Sequence, residues 1–321
     1  MSEIIWWLLP FILAGAFLTA LIITKFVIYN SKLANIVGKD KNKHGESVPE
    51  MGGIAIVAGT AFGILVAIAL GFNFKIDIQV LLAAISTVVI MGILGIIDDL
   101  YSLKQKIKAP IPFIAAIPLS AVRAGTTRTV TLPILGGINF GSFYPLVIVP
   151  LGVGGASNAF NMLAGLNGLE AGMGAIISLA IFMAAYLKGS FEAMIISISL
   201  FSACIAFLLY NKFPAKVFPG DVGTYAIGGT IACAVIIGNL EFFGLILFAP
   251  YFLEFLIKAR NGFWGQNYGI LKNGILHSPE KPESLTHYVM RLFPMSEGKV
   301  VMVFWLSEIA ISSFALLFFV Y

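Results

Sequence analysis

Charged residues are scarce in this chain: Asp, Glu, Lys and Arg make up 11% of its 321 residues, against 59% hydrophobic. With a mean hydropathy of +0.96, a soluble globular protein is excluded. The composition fits a polytopic membrane protein, in which lipid replaces water around the apolar surface. Cysteine is almost absent. Cys204 and Cys233 both fall within apolar runs and read as small core residues, so neither a disulfide framework nor a thiolate metal site is in prospect. Internal repeats and low-complexity tracts are missing, as is the inverted duplication of broken spans that many transporters carry. A basic leader is missing as well. Residues 4–28 are long enough to span a bilayer and have no basic segment before them, so no cleavable signal peptide is expected.

What is present is a series of ten apolar segments, at 4–28, 53–70, 80–97, 109–122, 144–156, 171–187, 191–209, 226–237, 242–256 and 300–320. They predict an all-α polytopic fold of about ten transmembrane helices, a single membrane domain over residues 1–321. The fourth, fifth and eighth are short and broken by Pro or Gly, which requires neighbouring helices to satisfy the freed backbone groups. Of the 20 Lys and Arg, only Lys75, Arg123, Arg128 and Lys188 fall on the side reached by the even-numbered connections, which leaves 16 for the other side. The positive-inside rule makes the rich side cytoplasmic and puts both termini outside. On the outer side, TTRTVTLPILGGINF (126–140) alternates β-branched residues around a Gly-Gly pair and predicts a small external hairpin.

The chemistry collects on the basic side. In GILGIIDDLYSLKQKIK (92–108) an apolar run stops at Asp98 and Asp99, and Lys104, Lys106 and Lys108 follow. A carboxylate near hydrocarbon is costly, and two side by side want a cation beside them. The bland reading is an interfacial stop signal with a positive flank; the sharper one is a site that binds a metal or takes a proton, facing lysines that hold phosphate. KDKNKHGESVPEMGG (39–53) reads as a basic loop ending in a turn. In NAFNMLAGLNGLEAG (158–172), Asn158 and Asn161 share a helix face, and their amide oxygens can ligate a hard cation. Asp221 lies in a Gly-rich turn at the start of the eighth segment, as an N-cap or a second hard ligand. Asp98, Asp99, Asn161 and Asp221 offer oxygen alone, which suits magnesium or manganese better than zinc. With the lysines they make up the parts of a phosphoryl-transfer site.

These stretches together resemble the polyprenyl-phosphate N-acetylhexosamine-1-phosphate transferases. The likeness rests on VPEMGG, GIIDDL with Lys108 downstream, NAFNMLAGLNGLEAG, YNKFPAKVFPGDVGT and SLTHYVMRLFP, in that order. NMLAGLNGLEAG is similar to the eukaryotic and archaeal dolichyl-phosphate branch, whereas bacterial members usually place Asp at the positions of Ala164 and Asn167. VFPGDVGT follows the bacterial pattern, and the mixture points to an archaeal member.

The resemblance implies ten helices in a cell membrane, a cytoplasmic active site, UDP-N-acetylglucosamine as donor, and a dolichyl or related polyprenyl phosphate as acceptor. It implies Mg2+ (Mn2+ as substitute) held by Asp221 and Asn161 against the donor diphosphate. Lys108 would contact that diphosphate, and Asp98 and Asp99 would place or deprotonate the acceptor phosphate. Lys39 would flank the lipid-phosphate entrance, and Asn211 and Asn167 would line the nucleotide pocket. Asn158, Gly168 and Glu170 join the substrate-binding set from the same motif, and Arg260 and His277 from the last loop. The resemblance leaves room for a homodimer and gives no role to nucleic acid.

One departure concerns the loop 258–299. Bacterial relatives have a His cluster there and eukaryotic ones an Arg-rich segment, while this chain offers Arg260, His277 and His287 scattered among polar residues. A different donor, such as a muramyl-peptide or pseudomurein precursor, or an undecaprenyl-type acceptor, is the alternative within the class. A secondary transporter is the alternative outside it. That reading calls for ionisable residues near the midplane, and only Glu254 and Glu308, placed near the ends of the last two segments, come close to it.

Overall fold

Backbone groups in hydrocarbon have no water to bond, so each apolar run must close its hydrogen bonds internally as a helix. The computed structural model describes residues 2–40, 45–71, 76–124, 128–132, 136–263 and 265–320. α1 (Ser2–Leu33) passes through the hairpin β1 (Val37–Asp40) and β2 (Glu46–Pro49) into α2 (Gly53–Leu70) and α3 (Ile78–Tyr101). Three short helices follow, α4 (Gln105–Lys108), α5 (Ile111–Ile114) and α6 (Ile117–Ala124), and then the hairpin β3 (Thr129–Leu132) and β4 (Gly136–Asn139). A π-helical turn at Tyr144–Ile148 opens α7 (Val149–Leu163), which α8 (Leu169–Lys188), α9 (Phe191–Asn211) and α10 (Gly220–Ile237) follow. The chain closes with α11 (Glu241–Leu247), α12 (Ala249–Arg260), the hairpin β5 (Ile270–Lys272) and β6 (Ile275–His277), α13 (Leu285–Leu292) and α14 (Glu297–Val320).

Among the described residues eight helices are long and apolar enough to cross a membrane, and α11 with α12, bent by 62° at their junction, makes a ninth if the pair is one span. The fourth expected segment differs. Pro110, Pro112 and Pro118 remove amide donors and disfavour helix at the preceding residues, so 109–122 breaks into short pieces, none of spanning length. The hairpin expected at 126–140 forms with Thr129 opposite Asn139. Its Gly-Gly pair is not the turn: Gly136 and Gly137 lie in β4 opposite Leu132 and Thr131, and residues 126–127 and 133–135 are outside those described. Residues 41–44 of the 39–53 stretch and Lys75 are outside them too. Glu308 is buried halfway along α14 and not near its end.

Hydrogen bonds between helix ends sort the bundle into two faces. On one, the Asp77 amide donates to Glu192 (2.9 Å), Arg123 and Lys188 donate to Asn239, and the Tyr144 hydroxyl donates to Glu241. Arg123 and Lys188, both assigned to that face by the sequence, are thus engaged in internal contacts. On the other, basic face, the ends of α3, α7 and α9 meet the starts of α2, α8, α10 and α14. α10 is the axle: nearly all of it is buried, whereas most of α1 is not. It is reached by backbone-to-backbone packing, since a methyl group on Gly95 of α3 would stand 2.2 Å from the Val222 Cα.

Candidate active site

α3 ends because Ser102 takes a left-handed conformation (φ 48°), its amide bonding the Asp98 carbonyl at 2.8 Å. The chain then folds back through α4 and brings Lys108 under the last turn of α3. The Lys108 ammonium lies 2.7 Å from Asp98 Oδ2 and also bonds Asp221 Oδ2, which belongs to the first turn of α10. Asp98 is buried, and it accepts from the Tyr225 hydroxyl (3.1 Å) and the Leu103 amide (3.1 Å). Asn161, near the end of α7, donates from its amide nitrogen to Asp221 Oδ1 and to Thr224 Oγ1 (3.0 Å). Four separate segments therefore converge on one ammonium and two carboxylates.

Asp99, adjacent in sequence, does something different. Its oxygens accept the backbone amides of Asp221 (2.7 Å) and Val222 (3.2 Å), the orphan donors at the start of α10. Gly220 makes this approach possible: it sits at φ +67°, and a methyl there would lie 2.3 Å from Asp99 Oδ2. Asp99 thus fixes where Asp221 stands.

Burial works against the charge on Lys108, but Asp221 and Asp98 outweigh it and hold its pKa above the ordinary lysine value. Glu50, at the end of β2, has its pKa raised by burial and then by the charge of Asp221. Among the described residues no group of three or more His, Cys, Asp or Glu side chains converges as a complete metal site. The donors still fit a hard cation that brings further oxygens of its own. Asp98 and Asp221 already share a cation in Lys108, and a half-turn of the Asn161 amide presents oxygen in place of nitrogen.

The pattern that describes Glycosyl transferase family 4 matches residues 80–239. A Sulfolobus acidocaldarius protein with the provisional name UDP-N-acetylglucosamine–dolichyl-phosphate N-acetylglucosaminephosphotransferase is 40% identical over 307 residues, 94% of this chain and 93% of its own. A Saccharolobus solfataricus protein of the same provisional name is 38% identical over 93% of this chain and 92% of its own. The chain belongs to Glycosyl transferase family 4. A phospho-N-acetylmuramoyl-pentapeptide-transferase of Halalkalibacterium halodurans, 35% identical over 84% of this chain and 82% of its own, shows how far the likeness reaches.

In this family 4 member the other expected residues separate into three groups. Asn167, Gly168 and Glu170 form a second buried polar centre at the α7–α8 turn. The Asn167 side chain donates to Asp40 (3.0 Å), its backbone amide donates to Glu297 (2.6 Å), and Glu170 accepts the Gly165 amide (2.6 Å). Gly168 is the left-handed residue (φ 88°) ahead of α8. Asn158 and Asn211 make backbone contacts, to the Ala109 (2.9 Å) and Gly154 (3.0 Å) carbonyls and to the Val217 carbonyl (2.9 Å) respectively. Lys39 is exposed in β1 opposite Ser47, His277 lies in β6 opposite Ile270, and Arg260 reaches the Tyr288 hydroxyl at 3.5 Å. None of those three bonds Asp98, Lys108, Asn161 or Asp221.

The loop after α12 is clamped to the end of α7. Asn267 donates to the Met162 carbonyl (2.8 Å) and accepts at its own carbonyl from Thr286 (2.8 Å). Glu254 of α12 accepts the Ser284 hydroxyl (3.0 Å) and the Leu285 amide (2.6 Å). Sequence reasoning missed Tyr225, Thr224, Glu50, Asp40, Glu297 and Asn267. Thr224 and Tyr225 were within reach of it, three and four residues after Asp221 and hence on its helix face. For Asp40 and Glu297 no local signal existed.

Proposed function

We propose that this family 4 member transfers N-acetylglucosamine-1-phosphate from UDP-N-acetylglucosamine to a polyprenyl phosphate of the dolichyl type, releasing UMP, as the first membrane step of lipid-linked glycan synthesis. The observation that supports it best is an ammonium, Lys108, shared by Asp98 and Asp221 where the helices meet the basic face, in a chain whose near relatives carry the name of that reaction. The basic face is cytoplasmic and the membrane is the cell membrane; the distribution of lysine and arginine supports this orientation.

In the reaction an oxygen of the lipid phosphate bonds to the sugar-bearing phosphorus of the donor, and the bond from that phosphorus to the UMP oxygen breaks. Lys108 meets the diphosphate by exchanging one carboxylate partner for a phosphoryl oxygen, so a positive charge faces the leaving group. Asp98, oriented by Tyr225 and Leu103, positions the acceptor phosphate and takes its proton where it carries one. Asp99 acts through the backbone of Asp221, a positioning role. Asp221 and Asn161 would hold magnesium, or manganese in its place, and when bound there the cation supplies neutralisation of the donor diphosphate. Asn167, held from two sides by Asp40 and Glu297, presents a fixed amide to the nucleotide.

The test is exchange of radiolabelled UMP into UDP-N-acetylglucosamine by the purified protein, with and without polyprenyl phosphate. Label entering the donor supports the reading, and lipid dependence marks a direct displacement. No exchange in either condition refutes it.

A further inference from the structure

α1 and α9 run parallel and in contact, with the Ser202 hydroxyl donating to the Leu13 carbonyl at 2.7 Å. Their outer seam opens twice. Within the apolar part it forms a groove of about 500 Å³, walled by Leu13, Ala14 and Phe17 of α1 and by Phe201 and Ile205 of α9. At the basic face the seam ends in a second opening, a cleft of about 390 Å³. Lys25 and Lys32 of α1 and Lys216 beyond α9 stand around that cleft, over a floor that includes Val48, Pro49 and Tyr210. Glu46 is its one carboxylate. The ion pairs found among the described residues are made by Lys108 and Lys258, so these three ammonium groups have no carboxylate partner there.

We propose that the α1–α9 seam binds an anionic membrane lipid, with its phosphate among Lys25, Lys32 and Lys216 and one hydrocarbon chain in the groove. Three positive charges against one negative favour an anion over a zwitterion. Lys25 and Lys32 are two turns apart on one helix face, and long lysine stems reach from an apolar wall to a headgroup. Leu13 to Lys25 is a rise of about 18 Å at 1.5 Å per residue, close to one leaflet of a hydrocarbon core about 30 Å thick. Tyr210 stands at the level where aromatic side chains meet headgroups. No residue around either opening belongs to the Asp98–Lys108–Asp221 cluster, so the occupant is a resident lipid and not the phosphate acceptor. Its effect on the reaction runs through β2: Pro49 of the cleft floor accepts the Phe218 amide (2.8 Å), and Gly53 donates to the Pro219 carbonyl (2.8 Å), two residues ahead of Asp221. A headgroup that ties α1 to β2 therefore steadies the start of α10.

The test uses the full chain in detergent, with phosphatidylglycerol, phosphatidylcholine and polyprenyl phosphate as separate probes, read by native mass spectrometry and by thermal midpoint. Phosphatidylglycerol should remain bound and raise the midpoint, while phosphatidylcholine should do neither. The triple variant Lys25→Gln, Lys32→Gln, Lys216→Gln should weaken phosphatidylglycerol binding about a hundredfold. Ala14→Trp, which fills the groove and leaves the lysines in place, should weaken it independently. Equal binding of the two phospholipids, or undiminished phosphatidylglycerol binding by the triple variant, overturns the proposal. Binding of polyprenyl phosphate alone through these lysines overturns it as well, by making the seam an acceptor route. The readout is lipid binding and not turnover, so failure here is distinct from failure of the transferase assignment.

Discussion

Asp98 and Asp99 are neighbours in sequence with different partners, and replacing each with Asn separates their roles. Asp99 holds two backbone amides of α10, at 2.7 and 3.2 Å. Bonds from neutral donors to a charged acceptor are worth about 1.5–3 kcal/mol each. In Asp99→Asn the amide oxygen can keep one of them, more weakly, while the NH2 group faces the other N–H and leaves it unsatisfied. Loss of the negative charge at the helix start removes about 0.3–1 kcal/mol more. The expected destabilisation is therefore about 2–4 kcal/mol, with turnover falling because Asp221 is no longer held. Asp98→Asn retains Asp221 as a partner for Lys108 and should cost about 1 kcal/mol in stability while abolishing most of the turnover. Thermal or denaturant unfolding of the detergent-purified proteins, run beside the UMP exchange assay, measures both quantities. An Asp99→Asn protein with unchanged stability and no activity would show that Asp99 touches the reactants, and the capping argument would fail.

Lys108→Met should raise the KM for the nucleotide sugar and lower kcat, together about ten- to a hundredfold for one lost charge-assisted contact; unchanged values of both would remove Lys108 from the site. Chelation with EDTA should stop turnover, with magnesium or manganese restoring it, because Asp221 and Asn161 are too few to retain a cation without donor; activity that survives exhaustive chelation refutes this. His287 is committed to the neutral form, Nδ1 accepting the Glu283 amide (3.0 Å) and Nε2 donating to the Tyr268 carbonyl (2.8 Å), and burial lowers its pKa from 6.5. A folded-state pKa below the unfolded one gives stability that is complete above about pH 6.5 and lost as pH falls through the folded value. Hydrogen exchange in 265–287 should accordingly rise on acidification, and a flat profile would contradict this bond assignment. Single cysteines replacing Lys212 and Lys281, in a background without the buried Cys204 and Cys233, should label from the cytoplasm and one at Arg128 from outside; opposite labelling of the first two would break the topology.

The spans were legible because hydrocarbon leaves an apolar run one way to satisfy its backbone, so length and hydropathy suffice. The run at 109–122 reads in the sequence as one span broken by proline, and its three prolines divide it into separate short helices. At the site, residue types and motif order pointed to Asp98, Lys108, Asn161 and Asp221, and these are the side chains that meet. Sequence could not distinguish Asp98 from Asp99. Successive helix positions point about 100° apart, and which one faces Lys108 and which faces α10 is set by how α3 and α10 cross. Nor could it find the Asp40–Asn167–Glu297 centre, whose members lie 127 and 130 residues apart in the chain and meet only once the end of β1, the α7–α8 turn and the start of α14 have been gathered on one face.

The close approach at Gly95 also bears on where this fold is free to change. With the Val222 backbone only 2.2 Å from where a side chain would begin, even alanine at position 95 pushes α10 aside, and Asp221 moves with it. The cluster of Asp98, Lys108 and Asp221 is thus wedged into a part of the bundle where substitution is poorly tolerated. The clamped arm at 265–287 is different: its hairpin exposes Ile270 and Ile275, and its side chains can vary without shifting a helix axis. Descendants or redesigns of the fold are therefore expected to differ mainly in the arm, leaving the wedge untouched.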